Sequence, residues 1–399
     1  MTKSVDDVHA FDTGFLKAME RLETLETTPE NKTIIKKFIK NCRQEGLAKS
    51  TLTHYTNQLK RMVQNLKNSG CGKQIDQLDE EDFTDFVIYL EDRMKLSKNE
   101  IRNYKKVVKK LYKYIYGEDI PKWVRGIKIG NVETPVQPQD LPDTETIQRM
   151  INVCNNPRNR ALIATLVDGG FRPGALLSCR IGGVKSGQYG STLYLSKSSR
   201  SRKTTPAKGI PLTWSSGYLQ QWLAVHPFKD NPDAPLWVTL DQNCEPLSYK
   251  TFRVTIKKIA KKAGIHQRFY PYLFRHKAIT DWILQGFNEQ IINHRAGWSR
   301  GSTQMYKVYG NFTDIEMNEA VYEKYGLKKD EQRQVTLRTC PRCNNIIKPE
   351  DKFCSQCSLV LDRTAFDYIQ KYEKVTPRII EALASSESGR QLMAHLNET

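Results

Sequence analysis

Residues 159–170 read NRALIATLVDGG, residues 191–196 STLYLS and residues 208–214 KGIPLTW, and this succession decides the fold class. The first segment is an apolar run stopped by Gly169 and Gly170, the pattern of a helix and its C-terminal cap. The other two read as short strands, and the turn between them is crowded with Lys, Arg and Ser. Downstream, YKTFRVTIKKIAKKAGI (249–265) places Phe252, Ile256, Ile259, Ala260 and Ala263 on one helical face. A short sheet set into helices is the α+β class.

Upstream the pattern is helical throughout. In STLTHYTNQLKRMVQNL (50–66), Leu52, Tyr55, Leu59, Met62, Val63 and Leu66 share a face, and NEIRNYKKVVKKLYKYIY (99–116) does the same with Ile101, Tyr104, Val107, Val108, Leu111, Tyr112 and Ile115. The polar face of the second helix carries Lys105, Lys106, Lys109, Lys110 and Lys113, either a solvated face or a phosphate-contacting one. The segment GIKIGNVETPVQPQDLPD (126–143) has three prolines and no periodicity and marks a domain boundary. The expected organisation is multidomain: an N-terminal extension (1–29), an all-α domain (30–127), a linker (128–142), an α+β domain (143–330), a small cysteine-rich module (335–365) and a helical tail (366–399). In the tail, Thr376 and Pro377 form a helix start, followed by the apolar Ile379, Ile380 and Leu383.

Lys and Arg number 62 against 44 Asp and Glu, a formal net charge of +18 in 399 residues. Such a surplus points to a polyanionic partner, and nucleic acid is the commonest. Hydrophobic residues at 39% are enough for real cores, and with 27% charged residues the composition excludes a disordered or membrane-embedded chain. No 18 apolar residues run together and the first thirty hold no apolar signal core, so a cytoplasmic protein without a membrane partner is expected. Five of the nine cysteines, Cys42, Cys71, Cys154, Cys179 and Cys244, are scattered, as in a reducing compartment.

The other four lie in CPRCNNIIKPEDKFCSQC (340–357). Cys340 with Cys343, and Cys354 with Cys357, form two C-x-x-C knuckles that can close a tetrahedron of thiolates around one Zn2+ per chain. Four thiolates leave no open position for water, so the expected zinc is structural. A redox dithiol is the competing reading.

Three segments, in order and spacing, resemble the active-site boxes of the tyrosine recombinases, the phage integrase family: DGGFRPGALLSCRIGGV (168–184), YPYLFRHKAITDWILQGF (270–287) and RAGWSRGSTQMYKVYGNF (295–312). The form FRHKAIT…GWS…VYGNFT, followed by a zinc ribbon, looks most like the archaeal integrases, as of a provirus or plasmid. The resemblance covers roughly residues 30–330. It implies an all-α core-binding domain and an α+β catalytic domain that clamp double-stranded DNA. It also implies strand cleavage and rejoining through a 3′-phosphotyrosyl link, with no catalytic metal and no ATP. The implied partners are inverted-repeat core sites, bound by a monomer or dimer in free solution that becomes a homotetramer on DNA.

Carried over residue by residue, the resemblance makes Arg172 and Arg275 the two phosphate clamps, a task suited to the planar, bidentate guanidinium. Trp298 stands where many relatives have His, and can donate its N–H to a phosphate oxygen. Lys197, directly after the second strand segment, is the expected general acid toward the leaving 5′-oxygen, with Lys203 the alternative. Arg200 and Arg202 are expected on the DNA backbone, as are Lys105, Lys106, Lys109 and Lys110. Tyr309 is the expected nucleophile and Tyr306 the alternative. Two positions depart from the family. Tyr272 replaces the His of His-x-x-Arg, and Ala175 stands where an acidic residue follows the first Arg by three. Both leave open a second function, a sequence-specific DNA-binding relative that does not cut.

Overall fold

The computed structural model describes residues 4–130, 136, 140–187, 190–195, 209–267, 269–299 and 301–305, and beyond these 318, 321–322, 325, 340, 347, 351–354, 359–362, 364–367, 370–371 and 385. The chain divides into two units, Ala10–Pro135 and Met1–His9 with Val136–Thr399.

The first unit is built from α1 (Phe11–Glu23), α2 (Pro29–Gln44), α3 (Lys49–Asn68), α4 (Glu80–Asp92), α5 (Lys98–Tyr116) and the short α6 (Lys122–Gly126). Local chemistry sets the helix starts. Thr28 caps α2 with Pro29 in its first turn, and reciprocal capping boxes start α4 (Asp79, Asp82) and α5 (Ser97, Glu100). The apolar stripes of α2, α3, α4 and α5 meet in one core that includes Phe38, Leu59, Phe86, Val107 and Tyr112. The Tyr112 hydroxyl is satisfied inside it, accepting from Leu78 N–H at 3.1 Å and donating to Leu78 C=O at 3.2 Å.

Residues 1–29, expected to form an extension of their own, are instead divided between the units. Helix α1 packs along α3 and buries Leu22 in the helical core. Residues 4–9 belong with the second unit. Val8 lies in that unit's core, its carbonyl accepts from Tyr249 N–H at 2.8 Å, and Asp6 pairs with Arg180 at 3.1 Å.

The second unit contains α7 (Thr144–Asn152), α8 (Pro157–Gly169), α9 (Pro173–Leu177), β1 (Val184–Gly187), β2 (Gly190–Tyr194), β3 (Gly209–Leu212), α10 (Ser216–Ala224), α11 (Tyr249–Lys262), α12 (Tyr272–Leu284) and α13 (Glu289–Arg295). The strands form one antiparallel sheet in the order β1-β2-β3, with Val184 opposite Leu193 and Leu193 opposite Ile210. Alternation buries Leu193, Ile210 and Leu212 on the core face. Tyr194 pairs with Gly209, so the chain between them leaves and returns at the same sheet end.

Helix α8 lies at the centre of this unit, packed against α7, α10 and α12, with every residue from Arg158 to Gly169 except Arg160 buried. That total burial explains its weak amphipathic pattern in the sequence. Its last turn carries Asp168, whose carboxylate accepts from the N–H and hydroxyl of both Thr213 and Ser215, at 2.6 to 3.1 Å. Gly170 caps the helix in the left-handed region, φ 57°. A side chain there would be strained, and its Cβ would lie 2.4 Å from the Trp282 ring.

Candidate active site

Each of the three sequence boxes is delivered by a different local device. Arg172 is the N-cap residue of α9, whose helix starts on Pro173 and is buried from Pro173 to Leu177. The half-buried Arg172 is therefore set by a short rigid turn rather than by a loop. Arg275 sits one turn into α12 and is 2% exposed. Trp298 follows α13 through Gly297, in the left-handed region at φ 64°. Its backbone N–H donates to Asn293 C=O at 2.9 Å, which closes the end of α13.

The Arg275 guanidinium ties these pieces together. Its Nη1 donates to Gly170 C=O at 2.6 Å, two residues before Arg172. Its Nη2 donates to Ala296 C=O at 2.7 Å, two residues before Trp298. The guanidinium carbon stands 5.6 Å from the Trp298 ring centroid. Two of its five N–H donors are thus committed to backbone carbonyls that fix the plane of the fork. Trp298 is itself buried, in a small cluster with Ala278, Ile279, Trp282, Ile292 and Ala296. Met305, the residue before Tyr306, packs on the same cluster.

Tyr272 begins α12 and is half exposed, its ring centroid 5.5 Å from that of His276. His276 is buried, and burial together with the Arg275 charge pushes its pKa down to about 4. It is a neutral ring at physiological pH. Ala175 is fully buried on α9, in a wholly apolar stretch of the core. The buried carboxylate of this box is Asp168.

Four candidates for the chemistry lie outside the described residues: Lys197, Lys203, Tyr306 and Tyr309. Arg200 and Arg202 do so as well.

The lysines of α5 divide. Lys109 Nζ donates to the carbonyls of Arg125 and Ile127 at 3.1 and 3.0 Å, closing the end of α6. Lys110 Nζ donates to Glu45 Oε2 at 2.6 Å and lowers the Glu45 pKa. Both heads are thus engaged within their own unit in this structure, which holds no DNA. Lys106 is exposed and Lys105 half-buried.

A basic face that the sequence reading passed over lies on α11. Phe252, Ile256, Ile259 and Ala260 turn inward, while Lys250, Arg253, Lys257, Lys258 and Lys261 are exposed. The same periodicity that located the apolar stripe also contained this signal, on the other side of the helix. The structure also brings in Arg295, whose guanidinium lies 4.5 Å from the Trp282 ring centroid and 3.6 Å from Asp168 Oδ1.

Around the cysteine pairs, Cys340 and Cys354 are buried with Ile347 and Leu361. Phe353 and Val360 form an isolated antiparallel bridge, and Cys354 N–H donates to Leu359 C=O at 2.8 Å. Cys343 and Cys357 lie outside the described residues, and among the described residues no group of three or more His, Cys, Asp or Glu could hold a metal ion. No helix among the described residues is long and apolar enough to cross a membrane.

The sequence matches the phage integrase family over residues 142–314, and the N-terminal SAM-like domain of phage integrases over residues 34–122. The chain belongs to this family, the tyrosine recombinases, enzymes that cleave and rejoin DNA. It is 22% identical over 289 residues to the tyrosine recombinase XerD of Oceanobacillus iheyensis, covering 71% of this chain and 94% of that one. It is 23% identical over 296 residues to the tyrosine recombinase XerA of Pyrococcus horikoshii, covering 73% and 93%. Among solved structures, the Tn1549 transposon integrase in complex with circular intermediate DNA superposes with a TM-score of 0.55 at 16% identity, covering 72% of this chain and 98% of that one. That likeness is one of fold.

Proposed function

We propose that this chain is an active site-specific recombinase, in which Tyr309 opens a DNA phosphodiester held by Arg172 and Arg275. The tyrosine hydroxyl gives up its proton to solvent as its oxygen attacks phosphorus, the bond to the 5′-oxygen breaks, and a 3′-phosphotyrosyl link forms while Lys197 protonates the leaving oxygen. The 5′-hydroxyl of a partner strand reverses the step, so no ATP and no catalytic metal enter. The observation that carries this reading is the Arg275 guanidinium, buried at the junction of all three boxes and held by Gly170 and Ala296. A cation so placed costs several kcal/mol to desolvate and is retained where a dianionic phosphorane must be stabilised. Met305 on the Trp298 cluster supports a nucleophile entering from the segment that follows.

The partner in this reading is double-stranded DNA with inverted-repeat core sites, joined by four copies of the chain. Lys105 and Lys106, the α11 face, Arg200 and Arg202 serve as backbone contacts. Cys340, Cys343, Cys354 and Cys357 hold one structural Zn2+, whose binding would supply most of the folding free energy of a module with so little core. The likeness to archaeal provirus or plasmid integrases is part of the same reading.

A second reading, a relative that binds DNA without cutting it, is favoured by Tyr272 and by the apolar burial of Ala175. A nicked duplex that traps the covalent intermediate separates the two, using DNA flanking the gene as candidate target. An adduct formed by wild type and by Tyr306→Phe, and absent in Tyr309→Phe, is the expected result. Loss in Tyr306→Phe alone moves the nucleophile by three residues. No adduct from any protein, on DNA bound specifically, selects the non-cutting reading.

A further inference from the structure

A second arginine, the partly buried Arg295, also joins the segments 168–170 and 295–296. Arg295 Nη2 donates to Asp168 C=O at 2.7 Å, and the same guanidinium faces Asp168 Oδ1 at 3.6 Å. Arg275 reaches Gly170 and Ala296 from the other side. The connections close a ring: Arg275 to Gly170, along the backbone to Asp168, across to Arg295, along the backbone to Ala296, and back to Arg275. Trp282, two turns beyond Arg275 on α12, plugs the ring, with Arg295 over its face and Gly170 against its edge.

Asp168 anchors one side of this ring. Its carboxylate is held by Thr213 and Ser215 independently of Arg295. Arg295 then locks the start of the third box onto that anchor. A largely buried ion pair adds little stability over well-packed apolar residues, which directs attention to what this one holds in place. What it holds is the pair of carbonyls that aim Arg275.

We propose that Asp168 and Arg295 are positioning residues for strand cleavage, fixing through Gly170 and Ala296 the orientation in which Arg275 meets the scissile phosphate. The inference rests on Arg275 acting as a phosphate clamp. In this role both residues act through Arg275 and not on the phosphate themselves. Their loss changes how Arg275 is aimed, and a misplacement of about 1 Å at a reacting centre costs about 100-fold in rate.

The test is single-turnover cleavage of a nicked duplex at saturating DNA by wild type, Arg295→Lys, Arg295→Met and Asp168→Asn, with DNA affinity and thermal midpoint measured on each. Arg295→Met and Asp168→Asn should cut about 10- to 100-fold more slowly with duplex affinity changed less than about twofold. Arg295→Lys should recover part of the rate, because it keeps the charge and loses the planar stack. A pair with only a structural role would lower the thermal midpoint and leave the saturated rate of the folded protein at the wild-type value. That result in Arg295→Met and Asp168→Asn overturns the inference. Should Arg295→Met fail to fold, the near-isosteric Asp168→Asn decides alone, on the same criterion. If wild type itself forms no adduct on DNA that it binds specifically, the clamp reading fails and this inference fails with it, an outcome distinct from a wild-type adduct with unimpaired variants.

Discussion

His276 and Arg275 are neighbours on α12 with opposite tasks. The arginine must stay charged in a buried place, and the histidine beside it must therefore stay neutral. Burial and the Arg275 charge hold the His276 pKa at about 4, below its ordinary 6.5. Between these values the unfolded chain takes up a proton that the folded protein refuses. The stability contributed by the neutral ring is thus complete above pH 6.5 and is lost as pH falls through about 4. The thermal midpoint of wild type should drop more between pH 6.5 and 4 than that of His276→Gln. Equal slopes for the two proteins would show that His276 titrates normally. At this scale the sequence was legible where chemistry repeats a pattern: Arg172, Arg275 and Trp298 stand in recognisable boxes. It was illegible for Asp168 and Arg295, because an acid at a helix end and an Arg before Ala-Gly-Trp carry no signal until packing brings them together.

Elements were legible where one face was wet. The stripes of α3, α5 and α11 follow from helical spacing, and the β2–β3 pairing follows from two short strand segments around a basic turn. Residues 4–9 were not legible, since SVDDVH has neither periodicity nor apolar length; its docking depends on the buried Val5 and Val8 and on Tyr249 and Arg180 far along the chain. The crossing of α8 and α12 is a second case of placement decided by packing. Gly170 has φ 57° and no room for a methyl group against Trp282. Gly170→Ala should destabilise the second unit by about 1–3 kcal/mol, from backbone strain and overpacking together. It should also slow cleavage, since Gly170 C=O is an acceptor for Arg275. Thermal unfolding checks the first effect, and an unchanged midpoint would mean that Trp282 moves aside freely. For the cysteine module, removal of zinc should unfold residues 335–365 while releasing one ion per chain, measured by metal analysis alongside limited proteolysis. Purified protein that contains no zinc and resists cleavage there would defeat the four-thiolate reading.

For the whole molecule the +18 charge points to a polyanionic partner, and the structure shows which of the described charges are already engaged within the protein. A lysine held by carbonyls of its own unit is not placed to neutralise a DNA phosphate and release that phosphate's counterion, whereas an exposed one is. Lys109 is of the first kind, with both Arg125 and Ile127 as acceptors; Lys257 and Lys261, on the exposed face of α11, are of the second. Duplex affinity should therefore fall steeply with salt in wild type. Lys257→Ala and Lys261→Ala should each flatten the slope of log K against log salt by about 1, through loss of one phosphate contact. Lys109→Ala should leave that slope unchanged and act on stability instead, by uncapping α6. Affinity titrations at four or five salt concentrations measure all three. If Lys109→Ala flattens the slope as much as Lys257→Ala does, its intramolecular contacts are given up on DNA, and the lysine face of α5 acts as a single phosphate-binding surface as its sequence first suggested.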